Sequence, residues 1–301
     1  MSGARSPGLL LGVGAYVCWG TFPAFFPLLK PASAVEVLAH RIVWNFLLMV
    51  IVVAVVRRIG DLKEITGRTW VLLTAASALI SINWGIYVYA VNNGHVVDAA
   101  LGYFINPLVT VALGLVVFGE RLNRAQFCAL ATAVLGVVVL TVDVGAPPYI
   151  GLGLACSFGL YGAVKKVVTT TDPRVSVGVE AGLATPFAAA YIVVLQITGH
   201  GTFTGHGGGH VILMILSGVL TAVPLLLFAA AAQRLPLVTL GLLFYLTPVM
   251  QLTWGVLVGR EPMPPARWLG FALIWLALLV FSVDATRRAR ADRRPTEPSH
   301  L

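Results

Sequence analysis

Leu101-Gly-Tyr-Phe-Ile-Asn106-Pro107, followed by Gly119-Glu120, recurs 141 positions further on as Leu242-Leu-Phe-Tyr-Leu-Thr247-Pro248, followed by Arg260-Glu261. Upstream, Trp19-Gly20 lines up with Phe158-Gly159, and Val35-Glu36 with Val179-Glu180, at slightly different offsets. A repeat of this length divides the chain into residues 1–144 and 145–285, leaving 286–301 as a basic tail expected to be disordered. Between these anchors lie apolar runs of about 20 residues, each long enough to cross roughly 30 Å of hydrocarbon as helix. In the first half they fall near 8–29, 34–56, 69–91, 97–118 and 124–142. In the second they fall near 148–166, 175–198, 210–231, 237–258 and 267–285. Backbone inside a bilayer must satisfy its own hydrogen bonds, so the spans are read as helices. The expected fold is an all-α integral membrane protein with ten transmembrane helices. Five spans per half is an odd number, which sets the second half upside down relative to the first. Two inverted five-helix repeats are the architecture of many secondary carriers, whose sites lie near the midplane between halves.

Composition agrees with a lipid-facing exterior. Of the 301 residues, 58% are hydrophobic and 11% charged, whereas a soluble domain carries about a quarter charged residues. The net charge of +8 does not imply nucleic acid, because the basic residues sit in the gaps between apolar runs rather than on one face. Cys18, Cys128 and Cys156 lie within apolar stretches and form no disulfide or zinc spacing. The first apolar run is longer than a signal-peptide core and contains Trp19 and Pro23, so it reads as a span that stays in the protein.

Orientation follows from the placement of Lys and Arg. One set of loops and tails holds Arg5, the Arg57–Arg68 cluster, Arg121 and Arg124, Lys165, Lys166 and Arg174, Arg234, and the arginines from Arg287 to Arg294. The opposite set holds only Lys30, Arg260 and Arg267, and Arg41 falls inside a span. The positive-inside rule makes the first set, and with it both termini, cytoplasmic.

Ionisable and polar groups inside spans are costly and mark candidate sites. Glu36, His40 and Trp44 share one face of the second span at i, i+4 and i+8, with Arg41 and Asn45 adjoining. Arg41 cannot shed its charge and needs a carboxylate, carbonyls or an anionic substrate. His40 titrates near neutral pH and suits proton coupling; a fixed hydrogen-bonded pair locking helices is the alternative for both. Glu180, the counterpart of Glu36, is a candidate proton carrier or the partner of Lys165, Lys166 or Arg174. Asn83, Tyr87, Asn92, Tyr103 and Asn106 supply neutral donors and acceptors, for substrate or as interhelical glue. Tyr245 belongs to the repeated motif, and Trp84, Trp254 and Tyr161 add aromatic surface. Pro107 and Pro248, at matching mid-span positions, are expected to interrupt their helices and point to a binding site. Glu120 and Glu261 read as structural charges at loop boundaries, and the small-residue strings beginning at Gly151 and Gly178 as close helix packing. His200, His206 and His210 lie among glycines and read as part of an outer linker rather than a metal site.

Taken together, these motifs resemble the drug/metabolite transporter superfamily of EamA type, and within it the RarD-like proteins. The resemblance rests on Trp19-Gly20 with Phe22-Pro23, Glu36 with Leu38-Ala39-His40-Arg41 and Trp44, and Asn83-Trp84 with Tyr87. It continues through Ala90-Val91-Asn92-Asn93-Gly94, the Leu101–Leu108 motif, Gly119-Glu120-Arg121-Leu122 and Ser157–Gly162, and covers about residues 8 to 285. The second half departs further, keeping mainly Tyr245-Leu246-Thr247-Pro248 and Arg260-Glu261. The resemblance implies ten helices, an inner membrane and transport of small metabolites or drugs, commonly export, and no particular substrate. An alternating-access exporter, with a small-molecule substrate, protons as candidate coupling ions and membrane lipid as surroundings, is the leading reading. No cofactor, metal or nucleic acid is expected. A channel or non-transporting membrane protein is the alternative. An enzyme is a weaker one, since HExxH, P-loop, GxSxG and paired intramembrane aspartates are all absent from the sequence.

Overall fold

The computed structural model describes residues 5–119, 121–168, 171–232, 234–235 and 243–291, and within these the regular structure is helical, with no strand. Helix α1 (Arg5–Gly20) bends by 40° at Thr21 into α2 (Phe22–Phe25) and a 3-10 turn, Phe26–Leu29. Pro23 and Pro27, which lack the N–H that a straight helix needs, sit at the starts of these two pieces. Then come α3 (Ala34–Val55), α4 (Gly67–Asn92), α5 (Val96–Phe118) and α6 (Arg124–Val144). They are followed by α7 (Tyr149–Val167), α8 (Pro173–Ile197) and α9 (Gly207–Ala232), and by α10 (Leu246–Leu257) and α11 (Pro265–Ala291).

Local chemistry sets several of these ends. The Ser33 hydroxyl accepts from the Glu36 N–H to open α3, and Thr66 does the same for α4. Asn123 and Gln126 form a reciprocal capping box at α6. Gly119 and Gly145 close α5 and α6 with φ of 63° and 73°, a left-handed conformation that costs glycine least.

Among the described residues, eight helices are long and apolar enough to cross a membrane, or nine if the bent pair at Thr21 is one span. The ten-span expectation is therefore not reached in full. Helix α10 has 12 residues, about 18 Å at 1.5 Å per residue, short of a full crossing. Residues 237–242, the start of the ninth expected span, lie outside the described residues. So do Glu120, Leu242 and residues 292–301. Helix α11 continues through Ala291, into the first residues of the segment expected as a tail. Outward-facing side chains are apolar, with Phe187, Ile197 and Val116 about 80% exposed, as lipid contact requires.

The helix pairings have a regular pattern. Helices α6 and α11 pack together, as do α3 with α8 and α5 with α10. In addition, α5 packs on α7 as α10 packs on α1, α3 on α9 as α8 on α4, and α4 on α7 as α9 on α1. Exchanging α1, α3, α4, α5 and α6, in order, for α7, α8, α9, α10 and α11 maps each of these pairs onto another or onto itself. Small residues make the crossings close. A Cβ on Gly218 of α9 would stand 2.3 Å from the Trp44 Cβ and 2.6 Å from the Asn45 backbone nitrogen. One on Gly102 of α5 would stand 2.7 Å from the carbonyl oxygen of Gly151 on α7.

Candidate substrate site

The Gly218 crossing brings α9 against the middle of α3, and one turn beyond it Thr221 meets Arg41. The Arg41 Nε donates to the Thr221 Oγ1 at 2.8 Å, and that hydroxyl in turn donates to the Ser217 carbonyl. Three rings face the guanidinium carbon, with centroids at 4.7 Å for Trp84, 5.1 Å for Phe26 and 5.4 Å for Phe22. The bend after α1 is what delivers Phe22 and Phe26 to this point. Arg41 is 2% exposed, no carboxylate pairs with it, and its Nη1 has no hydrogen-bond partner among the described residues. Tyr87 and Tyr103 lie within electrostatic reach of the guanidinium, and their rings are 5.7 Å apart. The Tyr87 hydroxyl faces Gln251 of α10 without forming a bond of normal geometry. Gln251 donates to the Trp19 carbonyl, while its side-chain oxygen has no partner. Asn45, one turn along from Arg41, is fully buried with neither amide atom bonded. Such a concentration of buried unpartnered polar atoms is unusual, since buried groups of this kind are ordinarily satisfied.

Immediately before Arg41 in α3, His40 accepts from the Trp44 Nε1 at its Nδ1, 3.3 Å away, and leaves Nε2 without a partner among the described residues. Its ring stacks on Phe203 at 4.6 Å. Phe203 comes from the glycine-flanked segment between α8 and α9, which Glu36 holds in place by accepting the Thr202 N–H at 2.6 Å. Thr202 also bonds His210 at 3.0 Å. The linker expected from its glycines is thus anchored at Thr202, and no group of three metal-ligating residues occurs among the described residues.

Glu180 is placed quite differently. Its carboxylate accepts from Lys165 at 2.5 Å, Ser176 at 2.9 Å and Tyr161 at 3.0 Å. Lys165 also bonds the Ser176 hydroxyl. The Ser77 hydroxyl of α4 donates to the Glu180 backbone carbonyl. Asn83 donates to the Leu154 carbonyl and the Ser157 hydroxyl of α7, both at 3.0 Å, and Asn106 donates to the Ala155 carbonyl on the same helix. These three residues join helices.

Tyr245 lies apart from Arg41. It lines an apolar groove of about 720 Å³ with Phe104, Trp268, Trp275 and Ser282, between α5, α10 and α11. The prolines also differ from expectation. Helix α5 runs on through Pro107, and Pro248 is the third residue of α10 rather than a mid-helix break. Pro186 and Pro224, which the sequence reading passed over, lie inside α8 and α9, and Pro224 sits one turn from Thr221.

The two ends of the bundle are tied by different groups. At one end Glu261 accepts from the Val96 and Val97 N–H groups at 2.6 and 2.9 Å, capping α5, and Arg267 pairs with Asp98 at 3.2 Å. Burial pushes the Glu261 carboxyl up, against the pull of those two N–H donors. Glu36 and Thr202 lie at this same end. At the opposite end the Asn123 amide donates to both Asp284 oxygens, and Asp172 caps α8 while pairing with Arg174.

A multi-pass helical membrane protein with a buried cation among aromatic rings, set between two similarly paired sets of helices, is the class that the fold and this cluster define. The EamA-like transporter family matches residues 6–142 and again 148–283. Protein RarD of Streptomyces exfoliatus is 47% identical over 96% of this chain and 92% of that protein. Protein RarD of Escherichia coli K12 is 38% identical, covering 92% of this chain and 94% of that one. An uncharacterized transporter of Bacillus subtilis, YojE, is 40% identical over 95% and 97%. The chain belongs to the EamA-like transporter family and is similar to its RarD proteins. A solved crystal structure matches with a TM-score of 0.60 at 19% identity, covering 94% of this chain and 99% of that one, a likeness of fold alone.

Proposed function

We propose that this protein is an alternating-access secondary carrier that exports small molecules across a bacterial inner membrane. In this reading ten helices form two inverted halves, residues 1–144 and 145–285, with both termini cytoplasmic. The observation that carries it is the Arg41 cluster, whose buried and partly unpartnered groups come from α3, α4, α9 and α10. Thr221 and Gln251 belong to the second half and the rest to the first, so motion of one half against the other remakes the site. The paired helix contacts and the double family match support the two-half arrangement.

Orientation by the basic loops puts Glu36, Thr202, Glu261 and Asp98 at the outer end and Asn123 and Asp284 at the inner end. The outer end is then tied between halves by three hydrogen bonds and the Arg267–Asp98 ion pair, and the inner end by the two Asn123 hydrogen bonds to Asp284, each worth about 1–3 kcal/mol net where a charge is involved. Ties of this size, with water able to replace them, suit two states separated by a few kcal/mol. His40 is the coupling group we favour, since its Nε2 is unpartnered, whereas Glu180 is held by three donors.

The test is the extracellular small-molecule profile of cells expressing the chain against cells carrying an empty vector, with purified protein in liposomes as the second arm. Compounds enriched outside only by the expressing cells support export. Uptake into liposomes without release from cells would keep the carrier and reverse its direction. Movement of nothing in either arm rejects the carrier, and conductance without saturation favours a channel.

A further inference from the structure

We infer that Arg41 anchors an anionic group, and that the transported molecule is an organic acid with an apolar or aromatic body. The inference rests on the carrier reading and names its substrate class.

Arg41 is a permanent cation held at depth in the bundle, 2% exposed. Among the described residues, the buried carboxylates have partners suited to them. Glu180 has Lys165, Ser176 and Tyr161, and Glu36 has the Thr202 N–H. Arg41 has one hydroxyl, Thr221, at Nε, and no acceptor at Nη1. The three rings around it attract the delocalised charge, but a ring face accepts no in-plane N–H. The outer edge of a guanidinium is the edge that a carboxylate meets with two parallel bonds. The Tyr87 ring meets two of the rings that flank the guanidinium, Phe22 at 6.3 Å and Phe26 at 6.0 Å, and its buried hydroxyl, unpartnered by normal geometry, is a donor for the same anion.

The surroundings specify the remainder of the molecule. Phe22, Phe26 and Trp84 are apolar surface in direct contact with the guanidinium. Asn45, buried with both amide atoms free, can read one neutral polar substituent. Among the described residues no buried carboxylate is left to pair a compensating ammonium there, because Glu36 and Glu180 are both engaged elsewhere. The geometry therefore favours an acid without an amine over a zwitterion.

The test compares wild type, Arg41→Gln and Arg41→Lys in cells at matched membrane levels, sorting released compounds by charge at neutral pH. Expected are organic acids enriched by wild type, with Arg41→Gln losing at least tenfold of that release and Arg41→Lys retaining part of it. Neutral, cationic or zwitterionic compounds alone in the wild-type medium would overturn the anion assignment while leaving the carrier intact. Undiminished release of the same acids by Arg41→Gln would also overturn it. Should Arg41→Gln fail to accumulate, wild-type protein in detergent is probed with phenylacetate and its neutral isostere phenylacetamide, reading tryptophan fluorescence, to which Trp84 contributes beside Arg41. Phenylacetate is expected to bind at least tenfold more tightly, and an acid no better than its amide refutes the inference. If wild type moves nothing in cells or liposomes, the carrier reading itself has failed.

Discussion

Helices α3 and α8 pack against each other and hold corresponding places in the two halves of the repeat, yet they treat buried charge in opposite ways. Helix α8 carries Glu180, whose carboxylate is met by an ammonium, a hydroxyl and a phenol. Helix α3 carries Arg41, which is met by one hydroxyl and three aromatic faces. A buried ion pair contributes little net stability, but removing one partner strands the other and costs about 3–5 kcal/mol. Glu180 and Lys165 are therefore mutually dependent parts of the scaffold. Arg41 has no charged partner to strand, so its removal relieves desolvation about as much as it forfeits ring contacts of about 0.5–2 kcal/mol. The difference separates a charge that holds helices together from one placed to meet a ligand.

The sharpest challenge to this contrast is Lys165→Ala, which should lower stability by about 3 kcal/mol, read as thermal unfolding in detergent. Adding Glu180→Leu should recover most of that loss, and a double variant worse than the single would place the destabilisation outside the pair. Next in size is Glu36→Ala. It removes the acceptor of the buried Thr202 N–H, at about 1–3 kcal/mol, and should expose the segment between α8 and α9 to protease. Asn83→Ala should cost about 0.6 kcal/mol, the usual worth of an interhelical polar contact in a membrane, and leave the range of transported compounds unchanged. Altered compound selectivity would move Asn83 from scaffold to site.

The smallest effect concerns Asp172, outside the spans, whose carboxyl is held down at about 2, chiefly by its hydrogen bond from Arg174. A depressed carboxyl stabilises the fold above its ordinary value and loses that contribution as pH falls toward the depressed one. Asp172→Asn should therefore be slightly less stable than wild type at neutral pH. The two should converge in strong acid.

Much of the scaffold was legible because bilayer physics writes itself into composition. The spans from residues 34 to 231 were found within a few residues of the observed helices. Lys165 was legible only as one of three candidate partners for Glu180, with Lys166 and Arg174, since opposite charges flank one short loop. The partners that decide the site were not legible. Glu36 ends on a backbone N–H and Asn83 on a backbone carbonyl, and every residue has those groups, so no sequence pattern announces them. Thr221 is one hydroxyl in an apolar helix, and Phe22 and Phe26 reach Arg41 only because the chain bends at Thr21. Tyr245, grouped with the site through the repeat, lines a separate groove, because repetition fixes a position in a helix but not the helix's neighbours. Pro248 suffers from the same limit, standing near the start of α10 while Pro107 lies within an unbroken α5.

The most direct measurement reads unfolding temperature and transport rate on the same preparations of wild type, Arg41→Gln and Lys165→Ala. Arg41→Gln should unfold within a few degrees of wild type and lose at least tenfold in transport, while Lys165→Ala should unfold well below wild type and, where still folded, transport at a comparable rate. An Arg41→Gln protein as destabilised as Lys165→Ala, or one that still transports, would contradict the assignment of Arg41 to the substrate.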